Sequence, residues 1–143
     1  MRIIGLDYGS VTVGVAATDA LGLTVQPLMT ICRSEENKLR RTLAKIAEIV
    51  EARGAELIVL GLPRNMDGTI GERAEKTLEF KSKLEKRVSV PVILWDETLT
   101  TAEAESILDE TGYSTDRAER KKVIDQIAAQ LILEDYISSR PKA

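Results

Sequence analysis

The chain has no histidine and one cysteine, Cys32. Disulfides within the chain, Cys/His zinc sites and histidine-based acid–base catalysis are thereby excluded. One Trp, three Tyr and one Phe make up only 3% of the residues, too few to build a platform on which single-stranded bases stack. Neither sign of charge dominates, since 20 Lys+Arg stand against 23 Asp+Glu for a net charge of −3. A surface-wide attraction for polyanions is absent, so any nucleic-acid contact must be local or metal-assisted. No apolar run approaches membrane-spanning length, and the stretch from Met1 to Gly5 meets Asp7 too soon for a signal peptide. The expectation is a cytoplasmic protein with no membrane partner, whose remaining chemistry rests on carboxylates and hard metals.

At 143 residues with 43% apolar content, the chain is long enough to fill one core, and a single domain spanning 1–143 is expected. Arg2 to Leu6 is a short apolar run closed by Asp7-Tyr8-Gly9-Ser10, after which Val11, Val13 and Val15 alternate with Thr12, Gly14 and Ala16. This pattern predicts a hairpin. Leu23–Ile31 follows a turn at 19–22, and Pro27 within it removes a ladder donor, which predicts an edge strand.

From Ser34, read as an N-cap with Glu35 and Glu36 in the first turn, Leu39, Leu43, Ile46, Ala47 and Val50 recur at helical spacing up to Gly54. Leu57-Ile58-Val59-Leu60 is an unbroken apolar run, as expected of a parallel strand covered on both faces. Thr69-Ile70-Gly71-Glu72 has capping-box spacing and opens a predicted helix burying Ala74, Thr77, Leu78 and Leu84. Pro91 to Trp95 reads as a fifth strand. Thr100-Thr101-Ala102-Glu103 repeats the capping box before a helix that turns Ala104, Ile107 and Leu108 inward and ends at Gly112. The segment 113–116 reads as an exposed loop, and a last helix from about Arg120 carries Ile124, Ile127, Ala128, Leu131 and Ile132 on one face. The result is an α/β fold of order βββαβαβα: a five-stranded mixed sheet, three antiparallel strands and then parallel ones, with helices on both faces.

Strand carboxyl ends in such sheets are where ligands bind. Asp7 and Asp96-Glu97 lie at predicted strand ends, and Asp125 lies inside an otherwise apolar helical stretch. Each has an ordinary reading. Asp7 alone fits an Asx turn capping the hairpin, Glu97 fits a surface acid before a helix N-terminus, and Asp125 is evenly balanced between a solvated face and a buried role. Taken together they converge if the last helix covers the ends of the first and fifth strands. Three clustered carboxylates suit Mg²⁺, which prefers carboxylate oxygens and water. Two such ions about 3.5–4 Å apart would stabilise the attacking and leaving oxygens of a phosphoryl displacement by water.

Gly5-Leu6-Asp7-Tyr8-Gly9 with Gly14-Val15-Ala16, Gly61-Leu62-Pro63 with Asn65 to Thr69, Asp96-Glu97 with Leu99-Thr100-Thr101, and Lys122 to Asp125 with Ala128-Ala129 form four ordered blocks. In these blocks the chain resembles the YqgF/RuvX family, described as pre-16S rRNA nucleases or Holliday junction resolvase-like proteins. The resemblance implies a ribonuclease H-like fold, phosphodiester hydrolysis with Mg²⁺ or Mn²⁺, and maturation of the 5′ end of the small-subunit rRNA precursor. It also places Asp7, Glu97 and Asp125 on the family's acidic catalytic and metal-binding positions. Members usually carry lysine where this chain has Val11 and arginine where it has Thr98, so two basic groups expected beside the site are absent.

Substrate contact is expected from Arg64 and Asn65, although Pro63, Gly68 and Thr69 also explain that segment as a helix-entry turn. A second contact is expected from Arg120, Lys121 and Lys122, with Arg117 beside them, because phosphates attract such clusters. Lys38, Arg40 and Arg41 are interleaved with acids and read as a solvated helix face. The leading function is a metal-dependent nuclease on structured RNA, in a monomer or weak dimer associated with the ribosome. Branched DNA is the second substrate reading. An ATPase-like phosphate loop at Asp7-x-Gly9 is a third, disfavoured because that architecture needs two domains. A non-catalytic RNA- or ribosome-binding module is the reading from a different class.

Overall fold

A computed structural model describes residues 1–63, 70–97, 100–112 and 116–139, with only the backbone described for 97 and 100–102. Five strands form one sheet: β1 (Ile3–Tyr8), β2 (Thr12–Thr18), β3 (Val25–Cys32), β4 (Leu57–Pro63) and β5 (Val92–Glu97). Their lateral order is β3-β2-β1-β4-β5. β1 pairs antiparallel with β2, and β2 with β3, whereas β1–β4 and β4–β5 are parallel. The expected edge position of the Pro27 strand holds. The β2–β3 register slips between Val15 and Ala16, so that Val15 faces Met29 and Ala16 faces Pro27. A bulge is one of the few places where a sheet accommodates proline.

Helices α1 (Arg40–Arg53) and α2 (Glu72–Glu85) cover one face, and α3 (Thr100–Thr111) and α4 (Arg117–Ser139) follow β5 as two separate helices. The strands explain why both faces are covered. Ile4, Leu6 and Tyr8 of β1 join Val13, Val15, Ile58 and Leu60 in a core closed by Leu43, Ile46, Phe80 and Leu84 of the first two helices. The alternate residues Ile3, Ala16, Leu57 and Val59 pack against Ala129, Ile132 and Leu133 of α4. α3 lies on α4 through Ala104, Leu108, Ile124 and Ala128.

Several local expectations need correction. Ser34 is no N-cap, because α1 starts six residues later with Leu39 in the cap position and no side-chain cap. The intervening residues form a turn, closed by the Lys38 amide on the Glu35 carbonyl and by the Arg33 side chain on the Glu36 carbonyl. α1 ends where expected, at Gly54, whose positive φ of 62° returns its amide to Glu51 and Val50. The box expected to open α2 at Thr69 is not its start: the cap is Gly71, without a side-chain bond, and Thr69 lies outside the described residues. In α2 Leu78 is largely exposed and Phe80 takes the core position. Ile107 of α3 also faces outward, beside the buried Ala104 and Leu108. α4 begins at Arg117 because the Asp116 carboxylate accepts the Glu119 amide, the bond an N-cap makes.

Candidate active site

Asp7 is not in the hairpin turn. It is the penultimate residue of β1, paired across the antiparallel ladder with Gly14 of β2. In the pleat it follows Ile3 and Gly5, on the face covered by α4. The turn is made one step later, where the Gly9 amide donates to the Thr12 carbonyl. Gly14 sets the position of α4, since a Cβ there would stand 1.9 Å from the backbone oxygen of Asp125. Only a residue without a side chain lets helix backbone and strand backbone meet so closely. The contact sets Asp125 beside Asp7.

Asp125 is 3% exposed. Its Oδ1 accepts from Lys121 Nζ at 2.8 Å, one helical turn earlier, while its Oδ2 is buried with no hydrogen-bond partner among the described residues. Burial first, and then the charge of Asp125, push the Asp7 carboxyl up to about 7, against the opposing pull of Lys121 and Arg73. A buried acceptor without a partner costs about 1–3 kcal/mol, more when charged. Two apposed carboxylates repel unless a proton or a cation lies between them. A set of hard oxygens with one unsatisfied acceptor suits Mg²⁺ or Mn²⁺.

Glu97 closes β5, opposite Pro63 of β4 and two residues beyond Trp95 in the pleat. The α4 side of that strand is pinned by Trp95, whose indole N–H donates to Asp135 at 2.6 Å and whose ring meets Tyr136 edge-on at 5.5 Å. The Glu97 side chain, Thr98, Arg64 and Asn65 lie outside the described residues.

The three basic residues expected to contact nucleic acid differ in their surroundings. Arg120 donates to Asp109 of α3 at 2.6 Å and ties the two helices together. Lys121 is engaged with Asp125. Lys122 is exposed, and its backbone carbonyl accepts from the Thr30 hydroxyl of β3.

Two arginines at the end of β1 escaped the sequence reading. Arg33 lies 4.8 Å and Arg73 5.5 Å from the ring centroid of Tyr8, which itself stacks on Phe80 at 4.2 Å. Arg33 also donates to the Gly9 carbonyl at 2.6 Å, and Arg73 pairs with Glu36. One follows an edge strand and the other starts a helix, so no periodic pattern marks either.

A family model described as RuvX, Holliday junction resolvase, matches residues 1–139. A protein of Lachnospira eligens named "Putative pre-16S rRNA nuclease" is 55% identical over 142 residues, covering 99% of this chain and 100% of the relative. A protein of the same name from Agathobacter rectalis is 49% identical over 137 residues, 96% of this chain and 94% of its own. Among solved structures, T. thermophilus RuvC in complex with a Holliday junction substrate matches with a TM-score of 0.55 at 15% identity over 96% of both chains. That likeness is one of fold, and the fold is ribonuclease H-like.

Proposed function

The chain belongs to the RuvX Holliday junction resolvase family, and from that premise we propose that it is a divalent-metal-dependent nuclease. It hydrolyses RNA phosphodiesters in 5′-end maturation of the 16S rRNA precursor, in the cytoplasm. Residues 1–143 act as one domain, as a monomer or weak dimer. The observation that carries this reading is the apposition of Asp7 and Asp125, with a buried Oδ2 lacking a partner among the described residues. The name shared by relatives at 55% and 49% identity supports the substrate.

Asp7, Asp125 and Glu97 would hold Mg²⁺ or Mn²⁺. When bound, the metal supplies Lewis acidity that polarises a phosphoryl oxygen and acidifies water. The chain's own part is positional. Gly14 fixes Asp125 against β2, and Lys121 occupies Oδ1 while Oδ2 has no partner among the described residues. Asp7, whose carboxyl is raised to about 7, would hold the cation as its carboxylate. Lys122 and Arg117, together with Arg64 and Asn65, contact substrate phosphates, whereas Arg120 serves the α3–α4 joint through Asp109.

The test compares the protein with Asp7→Asn on a 5′-extended precursor RNA in Mg²⁺, Mn²⁺ or chelator. Metal-dependent cleavage lost in the variant is expected; equal cleavage by both proteins rejects the assignment. The family's own description as a Holliday junction resolvase makes branched DNA the second reading. Preferential cleavage of a four-way DNA junction over the precursor RNA would establish it. RNA binding indifferent to metal, with no cleavage of either substrate, would identify a binding module instead.

A further inference from the structure

A cleft of about 610 Å³ opens between the end of β3 and the start of α1, lined by Arg33, Lys38, Arg40 and Arg41 beside the exposed Cys32. No carboxylate lines it among the described residues. We infer that this cleft is a track for the phosphodiester backbone, holding the strand on its way to the acidic site. The inference rests on the nuclease reading above and extends it by a binding surface away from the metal ligands.

Arg33 joins the cleft to the site. Its backbone amide donates to the Val11 carbonyl at 2.8 Å and its guanidinium to the Gly9 carbonyl at 2.6 Å, so it braces the loop that follows Asp7. Its Nη1 is enclosed without a hydrogen-bond partner among the described residues. Arg33 thereby links the cleft to the turn at Gly9 that follows β1.

Arg40 and Arg41 carry the charge argument. Both are exposed and neither has a carboxylate partner among the described residues. Both stand in the first turn of α1, which contains no acid, and positive charge there opposes the helix dipole. Helix stability accordingly gives no reason for them. Lys38 faces Glu35 at 3.6 Å with both side chains more than 60% exposed, a solvated pair that leaves its charge largely available. These residues are more than the solvated face expected from their interleaving with acids, because the turn at 34–39 gathers the cations around one concavity and directs Glu36 to Arg73. Phosphate contacts of this kind act regardless of sequence and weaken with salt.

The experiment measures binding in chelator, where cleavage cannot intervene, using fluorescence anisotropy of a labelled RNA oligonucleotide and a DNA of the same sequence. The double variant Arg40→Gln/Arg41→Gln is compared with wild type and with a charge-matched control, Lys86→Gln/Arg87→Gln, just after α2 and beside the end of α1 remote from the cleft. The cleft variant is expected to lose about tenfold or more in affinity near 0.1 M salt and to flatten the slope of log K against log salt by between about 1 and 2. The loss should be similar on RNA and DNA, as contacts to phosphate require, and the control should bind as wild type does. Unchanged affinity and slope in the cleft variant, an equal loss in the control, or a loss confined to one nucleic acid would overturn the track. Because no turnover is read, these outcomes stand apart from the metal-dependent cleavage that tests the nuclease reading.

Discussion

The backbone oxygen of Asp125 occupies the space that a side chain on Gly14 would need, 1.9 Å from an ideal Cβ. Strand and helix therefore meet main chain to main chain beside the acidic pair. Gly14→Ala forces α4 away from β2, because a backbone atom cannot step aside as a flexible side chain can. Overpacking of this kind costs about 1–3 kcal/mol or more. Urea unfolding should show a loss at the upper end of that range, together with loss of metal-dependent cleavage. A variant as stable as wild type would show that the contact is not needed.

The raised Asp7 carboxyl makes stability depend on pH in a definite direction. In the unfolded chain the group titrates near 3.8 and in the folded protein near about 7. Between those values the folded state keeps a proton that the unfolded state has lost, so stability without metal falls as pH rises from about 4 to about 7 and then levels off. At 1.36 kcal/mol per pH unit the loss is at most about 4 kcal/mol. Asp7→Asn removes this slope. In chelator the variant should unfold at higher urea than wild type at pH 8 and match it at pH 4, and equal midpoints at pH 8 would contradict the burial of the charge.

Metal should reverse that penalty. If Asp7 and Asp125 hold the cation as carboxylates, the Asp7 proton must leave on binding, so thermal stabilisation by Mn²⁺ should be small at pH 5 and grow until about pH 7. Asp125→Asn should abolish the shift at every pH. A shift independent of pH, or one that survives in Asp125→Asn, would place the ion elsewhere.

Trp95 holds the strand that ends in Glu97 against α4 by one hydrogen bond to Asp135 and one edge-on ring contact. Trp95→Phe keeps most of the apolar contact and loses the bond, at a cost of about 1–2 kcal/mol. Cleavage should slow while the Mn²⁺-induced shift persists in reduced form. Asp135→Asn, whose amide oxygen still accepts from the indole, should be the milder change, and the reverse ranking would count against this anchor.

Much of the architecture could be read from the residues. The unbroken run Leu57 to Leu60 announced a strand covered on both faces, and Pro27 announced an edge. Asp7 and Asp125 stood out because each interrupts apolar surroundings. Helix starts were less legible: Ser34 and Thr69 carry capping chemistry, yet α1 begins at Arg40 and α2 at Glu72. A cap motif can be overruled by tertiary partners, here Arg33 on the Glu36 carbonyl and Arg73 on the Glu36 carboxylate. The exchange of Leu78 for Phe80 in the core has a similar origin, since stacking on Tyr8 selects the aromatic ring. The closeness of Gly14 to Asp125 leaves no local trace at all, because it joins segments from opposite parts of the chain.

That same separation governs when the acidic pair is completed. Asp7 is fixed by the first hairpin, but its partner arrives with α4, the last element described, which also seals one whole face of the sheet. A chain lacking α4 exposes Ile3, Ala16, Leu57 and Val59 and has only half of the acidic pair. Completion of the acidic pair and the final seal of the core thus come in one event.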